Sequence, residues 1–366
     1  MAWYDRFKKY RNPEEMRWIV FALAALAGFL ALLLSGRISP AQTAPLTEIA
    51  NYQGADRTQR LIEGAKREGT VTFYSNAPTE DNTALVAAFE KKYGIKINLY
   101  RASSEDIRQR VLNEARARRY DVDFVLNNAP AMEALNAEKL LSEIKSPYLA
   151  DLMPSAIPPY RTWAGFCLNV LVPAYNTNLV KKADLPNRYG DLLDPKWKGR
   201  IAIEADDSDW FSGLVEVMGQ EKGLKLFREI AETNGFSVRK GHTLLTNLVA
   251  VGEVPLALTT FNYTAEQFKR KGAPIDWFTL DPIVAHPNAV AVVANPPHPH
   301  AAALMFDFVL SEAQQLFADR HYVATSLKVA ASTLDRASVH MLDASKVVAE
   351  GDKWQRLHTQ IINARR

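Results

Sequence analysis

The sequence predicts an α/β protein of two lobes, and three observations predict it. From residue 71 onward, short β-type runs alternate with helical runs, and strand, polar loop, helix and strand in succession make a βαβ unit with its strands parallel. Each of these strands runs out into a polar loop, which places the loops along the carboxyl edge of an open sheet, where ligands bind. The 366 residues are enough for two lobes, each with its own core.

Composition narrows the function. The chain is 48% hydrophobic and 23% charged, as a globular protein is, and its formal net charge is only +3. Lys and Arg are interleaved with Asp and Glu, so no basic face is available for nucleic acid. The single cysteine, Cys167, lies in the apolar run Phe166-Cys167-Leu168 and reads as a small buried hydrophobe, which rules out an intrachain disulfide framework and a cysteine zinc site. No Gly-rich phosphate loop, H-E-x-x-H, G-x-S-x-G or S-x-x-K with its partners stands at a sensible position. A binding protein is therefore expected rather than an enzyme, with no cofactor.

The elements follow in order. Residues 1–17 are polar and net basic, and 18–34 carry no charge. At 1.5 Å per residue the uncharged run covers roughly 25 Å, close to the hydrocarbon thickness of a bilayer, so an N-terminal hydrophobic helix is expected. Positive charge ahead of it keeps the N-terminus in the cytoplasm and puts the rest outside. Ser39-Pro40-Ala41 suits a signal peptidase and the long basic leader suits a retained anchor; both outcomes export the globular part.

Residues 60–68 have helical spacing, ended by Gly69-Thr70. A buried-type strand at 71–74 leads into Ser75-Asn76-Ala77-Pro78 and an amphipathic helix over 82–93; Gly94 ends it, and a strand covers 95–100. The unit repeats through Ser103-Ser104, a helix over 105–118, a strand over 122–126 and the loop Asn127-Asn128-Ala129-Pro130. Residues 163–174 are apolar enough for a strand crossing between lobes, delivering Tyr175 and Asn176 to a turn. A strand at 200–203 leads to Ser208, a natural helix N-cap, beside Asp209 and Trp210. Free amides there suit an anion, whereas Asp207 and Asp209 suit a cation. His242-Thr243 starts a helix, and a strand over 254–259 runs into Asn262-Tyr263. Strands over 277–282 and 289–294 return the chain to the first lobe, and 337–366 looks helical.

Two stretches resemble periplasmic solute-binding proteins of the iron(III) and small-organic-ligand type, the receptors of ABC importers. One is residues 175–203, YNTNLVKKADLPNRYGDLLDPKWKGRIAI. The other starts Pro297-His298-Pro299-His300, passes through Phe306-Asp307-Phe308 and ends at Ser311-Glu312-Ala313-Gln314-Gln315. The resemblance implies a two-lobe periplasmic-binding-protein-like fold of type II: lobe 1 from 46–165 and 285–325, lobe 2 from 166–284, a C-terminal helical segment over 326–366, and a leader, membrane segment and tether over 1–45. It also implies a monomer on the periplasmic side of the cytoplasmic membrane, tethered by its N-terminal helix or released from it. This monomer would hold a small-molecule solute between its lobes and deliver it to an ABC permease. A ligand-sensing receptor on the same fold is the competing expectation.

Ferric-binding members of that family place a histidine, a glutamate and two adjacent tyrosines on the metal, and the matching positions here are Pro78, Asn127, Asn262 and Tyr263. Only Tyr263 keeps a suitable oxygen, and the two lost anionic groups are those Fe(III) needs. No metal ligands are therefore expected, and bare ferric iron is disfavoured against a chelated iron or another solute. The expected ligand set is Ser75, Asn76, Ser103, Asn127, Asn128, Tyr175, Ser208, Asp209, Trp210, His242, Thr243, Asn262 and Tyr263. Amides and hydroxyls would read a small polar molecule while aromatics cover its apolar face.

Overall fold

The computed structural model describes residues 46–329, 334 and 339–362; the expected N-terminal hydrophobic helix lies outside them. Among the described residues no helix is long and apolar enough to cross a membrane.

The βαβ pattern is realised as two parallel wings on one 12-stranded sheet. In the first wing β1 (Thr70–Ser75), β2 (Lys96–Arg101) and β3 (Phe124–Asn128) run parallel, with β1 in the middle. In the second wing β6 (Ile201–Glu204), β7 (Ser237–Arg239) and β8 (Leu256–Phe261) do the same around β6. Two long strands join the wings: β5 (Ala164–Asn176) and β10 (Ile283–Val293), antiparallel to each other and buried at every position, with the short β4 (Leu141–Ser142) paired to β10 and β9 (Ile275–Trp277) paired to β5. Their near-continuous apolar runs are what a strand covered on both faces requires.

The register brings the two wings head to head. Asn128, the last residue of β3, lies opposite Asn288 of β10, and Asn288 lies opposite Cys167 of β5. Phe261, the last residue of β8, lies opposite Leu171 of β5. Four residues of strand separate Cys167 from Leu171, roughly 13 Å. The carboxyl edges of both wings therefore face one another across the middle of β5 and β10.

Strand ends differ from the expectation by a few residues for a physical reason. Asn127 and Asn128 are still paired with β10, so β3 runs to Asn128, which also caps helix α1 (Ala129–Ala137) by accepting from the Ala131 N–H at 2.9 Å. Ser208 is not an N-cap: helix α2 (Ser208–Met218) begins on it, and Asp207 holds the cap position without bonding the helix through its side chain.

The Pro-His-Pro-His start belongs to helix α3 (Pro299–Leu310). His298 donates its backbone N–H to Asp123 at 2.6 Å and sets its ring Nδ1 2.8 Å from the same carboxylate. His300 does the same to Glu68, at 3.1 and 2.7 Å. The two histidines thus satisfy orphan donors at a helix start, each on its own carboxylate. Further along, Asp307 takes Arg57 Nε at 2.9 Å in a buried pair, and Arg57 also donates to the Tyr52 carbonyl at 2.6 Å. The C-terminal helix α4 (Ala344–Ile362) packs against both α1 and α2, with Trp354 and His358 set edge-on to Phe211.

Candidate functional site

Polar side chains that the two long strands cannot satisfy converge where the wings meet. Asn169 of β5 lies directly opposite His286 of β10, and Asn288 follows two residues on, so the three share one face of the pair. Among buried oxygens without a partner are Asn169 Oδ1, Asn288 Oδ1, Asn262 Oδ1 and Asp207 Oδ2. A buried acceptor left unpaired costs on the order of 1–3 kcal/mol, so a group of them at one junction points to a missing donor.

The first wing orients its amides by a chain that begins at the backbone. Asn127 Nδ2 donates to the Ser104 carbonyl at 2.9 Å, which turns Asn127 Oδ1 toward Asn76 Nδ2 at 3.2 Å. Asn76 Nδ2 also reaches Ser104 Oγ at 2.8 Å, leaving Asn76 Oδ1 to face Asn288 Nδ2 at 3.5 Å. The fixed direction of this chain is why Asn288 presents its oxygen and not its amine. Ser75 is turned inward, donating to Asn82 Oδ1 at 2.6 Å, and Ser103 caps the helix over Ser104–Arg116 from an exposed position. The sheet edge brings Asn76, Asn127 and Asn128 together; Ser75 and Ser103 serve local turns.

The second wing contributes charge. Glu204 ends β6 with its carboxylate held by two backbone amides, Gly241 N–H at 2.7 Å and Asp206 N–H at 2.6 Å. Burial first, and then the Asp207 charge, push the Glu204 carboxyl up to about 7. His242 Nε2 lies 3.2 Å from Asp207 Oδ1, and its Nδ1 lies 3.2 Å from the Thr259 carbonyl. Burial works against its positive charge, but Asp207 and then Glu204 outweigh that and hold the imidazole at about 9. Asp209 sits 3.7 Å from His286 Nε2, with its carboxyl pushed up by burial against the opposing pull of His286. Asn262 Nδ2 points to the His321 carbonyl at 3.5 Å. Ser208 flanks this group half-buried, and Thr243 is exposed on the first turn of its helix.

Two of the expected aromatic residues lie apart from the polar group. Trp210 is fully buried among Tyr189 and Phe227, at 6.3 and 5.7 Å between ring centres, because its position on α2 faces the core. Tyr175 lies opposite Leu256, the first residue of β8, whereas the junction is at the last. Neither ring is brought to the polar group. Tyr263 does lie beside it, but its ring is 3% exposed and stacked on Tyr322 at 3.8 Å, and burial pushes its hydroxyl far above the usual range.

Glu204, Asp207, Asn169, His286 and Asn288 were not in the expected set. Their signal was a polar residue inside an apolar strand: Asn169 in FCLNVLV, and His286 and Asn288 in VAHPNAV. A separate cavity of about 850 Å³, lined by Gln53, Arg57, Lys145 and Arg161 among others, shares no residue with this junction.

The family described as bacterial extracellular solute-binding protein matches residues 84–341. The Fe(3+)-binding periplasmic protein of Serratia marcescens is 31% identical over 172 residues, 46% of this chain, and the match spans 50% of that relative's length. Iron uptake protein A1 of Synechocystis is 24% identical over 263 residues, 68% of this chain and 72% of its own. Among solved structures, the periplasmic binding protein AfuA of Actinobacillus pleuropneumoniae, with fructose-6-phosphate bound, superposes with a TM-score of 0.72 at 19% identity over 81% of this chain and 99% of its own. Iron-bound HitA of Pseudomonas aeruginosa does so with a TM-score of 0.69 at 20% identity, over 78% and 98%. These structures share the fold.

Proposed function

The chain belongs to the bacterial extracellular solute-binding protein family, and from that premise we propose that it is the solute receptor of an ABC importer, working on the periplasmic side of the cytoplasmic membrane. In this reading the two wings are the sheets of two lobes, β5 and β10 are the hinge strands, and a small polar solute is held at the junction and passed to a permease. A monomer held to the membrane by its N-terminal segment completes the proposal.

The observation that carries it is the set of buried, unpartnered oxygens at the junction, Asn169 Oδ1, Asn262 Oδ1 and Asn288 Oδ1. They call for a ligand that donates hydrogen bonds, and the carboxylates of Glu204, Asp207 and Asp209 favour one that is cationic. Relatives named for iron bind a metal that needs anionic oxygens. The Tyr263 hydroxyl, stacked away and hard to ionise, argues for an amine- or hydroxyl-bearing solute instead.

A thermal-shift series tests this, because a ligand that binds only the folded state stabilises it by about 2.7 kcal/mol at a hundredfold excess over Kd. Polyhydroxylated amines and thiamine-like cations are expected to raise the melting temperature, and Asn288→Ala to weaken the best of them by at least about tenfold, some 1.4 kcal/mol. Stabilisation by sugar phosphates or ferric citrate alone would overturn the donor-bearing solute.

A further inference from the structure

One arrangement in the second wing goes beyond solute capture. Glu204, Asp207 and His242 each offer a ligand atom, and the three atoms lie within 4.8 Å of one another. Three separate features of the chain build this cluster. The last residue of a buried strand supplies Glu204. The N-cap position of α2 supplies Asp207, which is 5% exposed. The first residue of the helix His242–Val251 supplies the imidazole.

Each side chain is oriented so that an atom is left for a cation. His242 Nδ1 faces the Thr259 carbonyl at 3.2 Å, so a proton on Nδ1 is donated there and Nε2 is the nitrogen turned toward Asp207. That is the tautomer a metal-bound histidine adopts when a backbone carbonyl holds its other nitrogen. Nε2 and Asp207 Oδ1 meet at 3.2 Å, an ion pair when Nε2 carries its proton, and a metal that takes the place of that proton meets the same two atoms. Asp207 Oδ2 is buried and has no partner. The Glu204 carboxylate is anchored by the Gly241 and Asp206 amides, each on one oxygen, and this fixes where its remaining lone pairs point.

We propose that Glu204, Asp207 and His242 bind one divalent transition-metal ion of the zinc class. Two carboxylates and a neutral imidazole balance its charge, and one nitrogen with two oxygens is a donor set such ions accept at about 2.0–2.2 Å. Ligand atoms around a tetrahedral ion at that distance stand roughly 3.3 Å apart, so the most distant pair closes by at most about 1.5 Å. Three protein ligands leave a fourth position for water or for an oxygen or nitrogen of the solute. The metal site stands whether or not the solute proposal does, because it is measured without any solute.

The full-length chain in detergent, stripped with EDTA and desalted, is titrated with Zn²⁺ and separately with Mn²⁺ by calorimetry, with metal content checked after gel filtration. One retained Zn²⁺ per chain is expected, with affinity lowered at least tenfold in Asp207→Asn, an isosteric change, and in His242→Phe. His298→Asn, which alters a different histidine–carboxylate pair, is expected to leave it unchanged. X-ray absorption of the zinc form is expected to show nitrogen and oxygen neighbours only. No stoichiometric metal, or stoichiometric metal held equally by Asp207→Asn and His242→Phe chains with native circular dichroism, would overturn the site.

Discussion

At the scale of single residues, burial separates function from packing more sharply than residue type does. Trp210 had the chemistry of a ligand cover, yet its ring is enclosed by Tyr189 and Phe227. Trp210→Ala is therefore expected to cost about 3–5 kcal/mol in chemical denaturation and to leave solute affinity per folded molecule unchanged. A calorimetric titration of the variant at low temperature checks the second half. His298 carries a pH signature. The hydrogen bond to Asp123 raises its pKa above the usual value, so the folded state binds the proton more tightly than the unfolded state. Its contribution is full below the unfolded value of about 6.5 and is lost as pH rises through the raised one. The urea midpoint of the native chain is expected to fall more between pH 6.5 and 8 than that of His298→Asn. Parallel curves would remove the pair from the stability of the fold. The sequence made the amides Asn76, Asn127 and Asn128 legible, because each follows an apolar strand. It hid Asn169, His286 and Asn288, because a polar residue inside a long buried run carries no local mark of which face it takes.

At the scale of elements, the βαβ alternation was legible because strands buried on both faces are short continuous apolar runs with β-branched residues, whereas the helices between them are longer and amphipathic. Strand ends were less so: β3 keeps its pairing with β10 through Asn127 and Asn128, and nothing in residues 122–128 alone reveals a partner from residues 288–292. The contact between helix Asn262–Arg270 and the first wing is also non-local. Gln267 Nε2 reaches the Arg320 carbonyl at 2.9 Å, Lys271 Nζ reaches Glu80 at 2.6 Å, and the fully buried Asp81 takes Arg320 and, at 2.5 Å, the Tyr322 hydroxyl. These links differ in weight. Lys271 and Glu80 are both largely exposed, so Lys271→Ala is expected to change stability by less than about 1 kcal/mol. Asp81→Ala leaves a cation and a buried hydroxyl without their acceptor and is expected to cost about 3–5 kcal/mol. Equal effects of the two changes in urea unfolding would contradict this ranking.

At the scale of the whole molecule, the resemblance of residues 175–203 and of the proline-histidine helix start to solute-binding proteins pointed to the family that residues 84–341 match. The ligand was less legible, since it depends on which atoms remain unpaired after folding, and pairing is a property of three-dimensional neighbours. The acid cluster shows this best: Glu204, Asp207 and His242 are spread over 39 positions of sequence and meet because β6 and β7 are adjacent and parallel, with Glu204 opposite Arg239.

The same sheet runs without interruption from one wing to the other. Because β5 and β10 are laddered to each other and to strands on both sides, a swing of either wing must flex a hydrogen-bonded ribbon instead of turning on a slack connection. In the proposed reading opening and closing are then elastic, with a stiffness set by the backbone bonds of the ribbon that also carries Asn169 and Asn288. The resting angle of that ribbon becomes a determinant of affinity beside the contacts themselves.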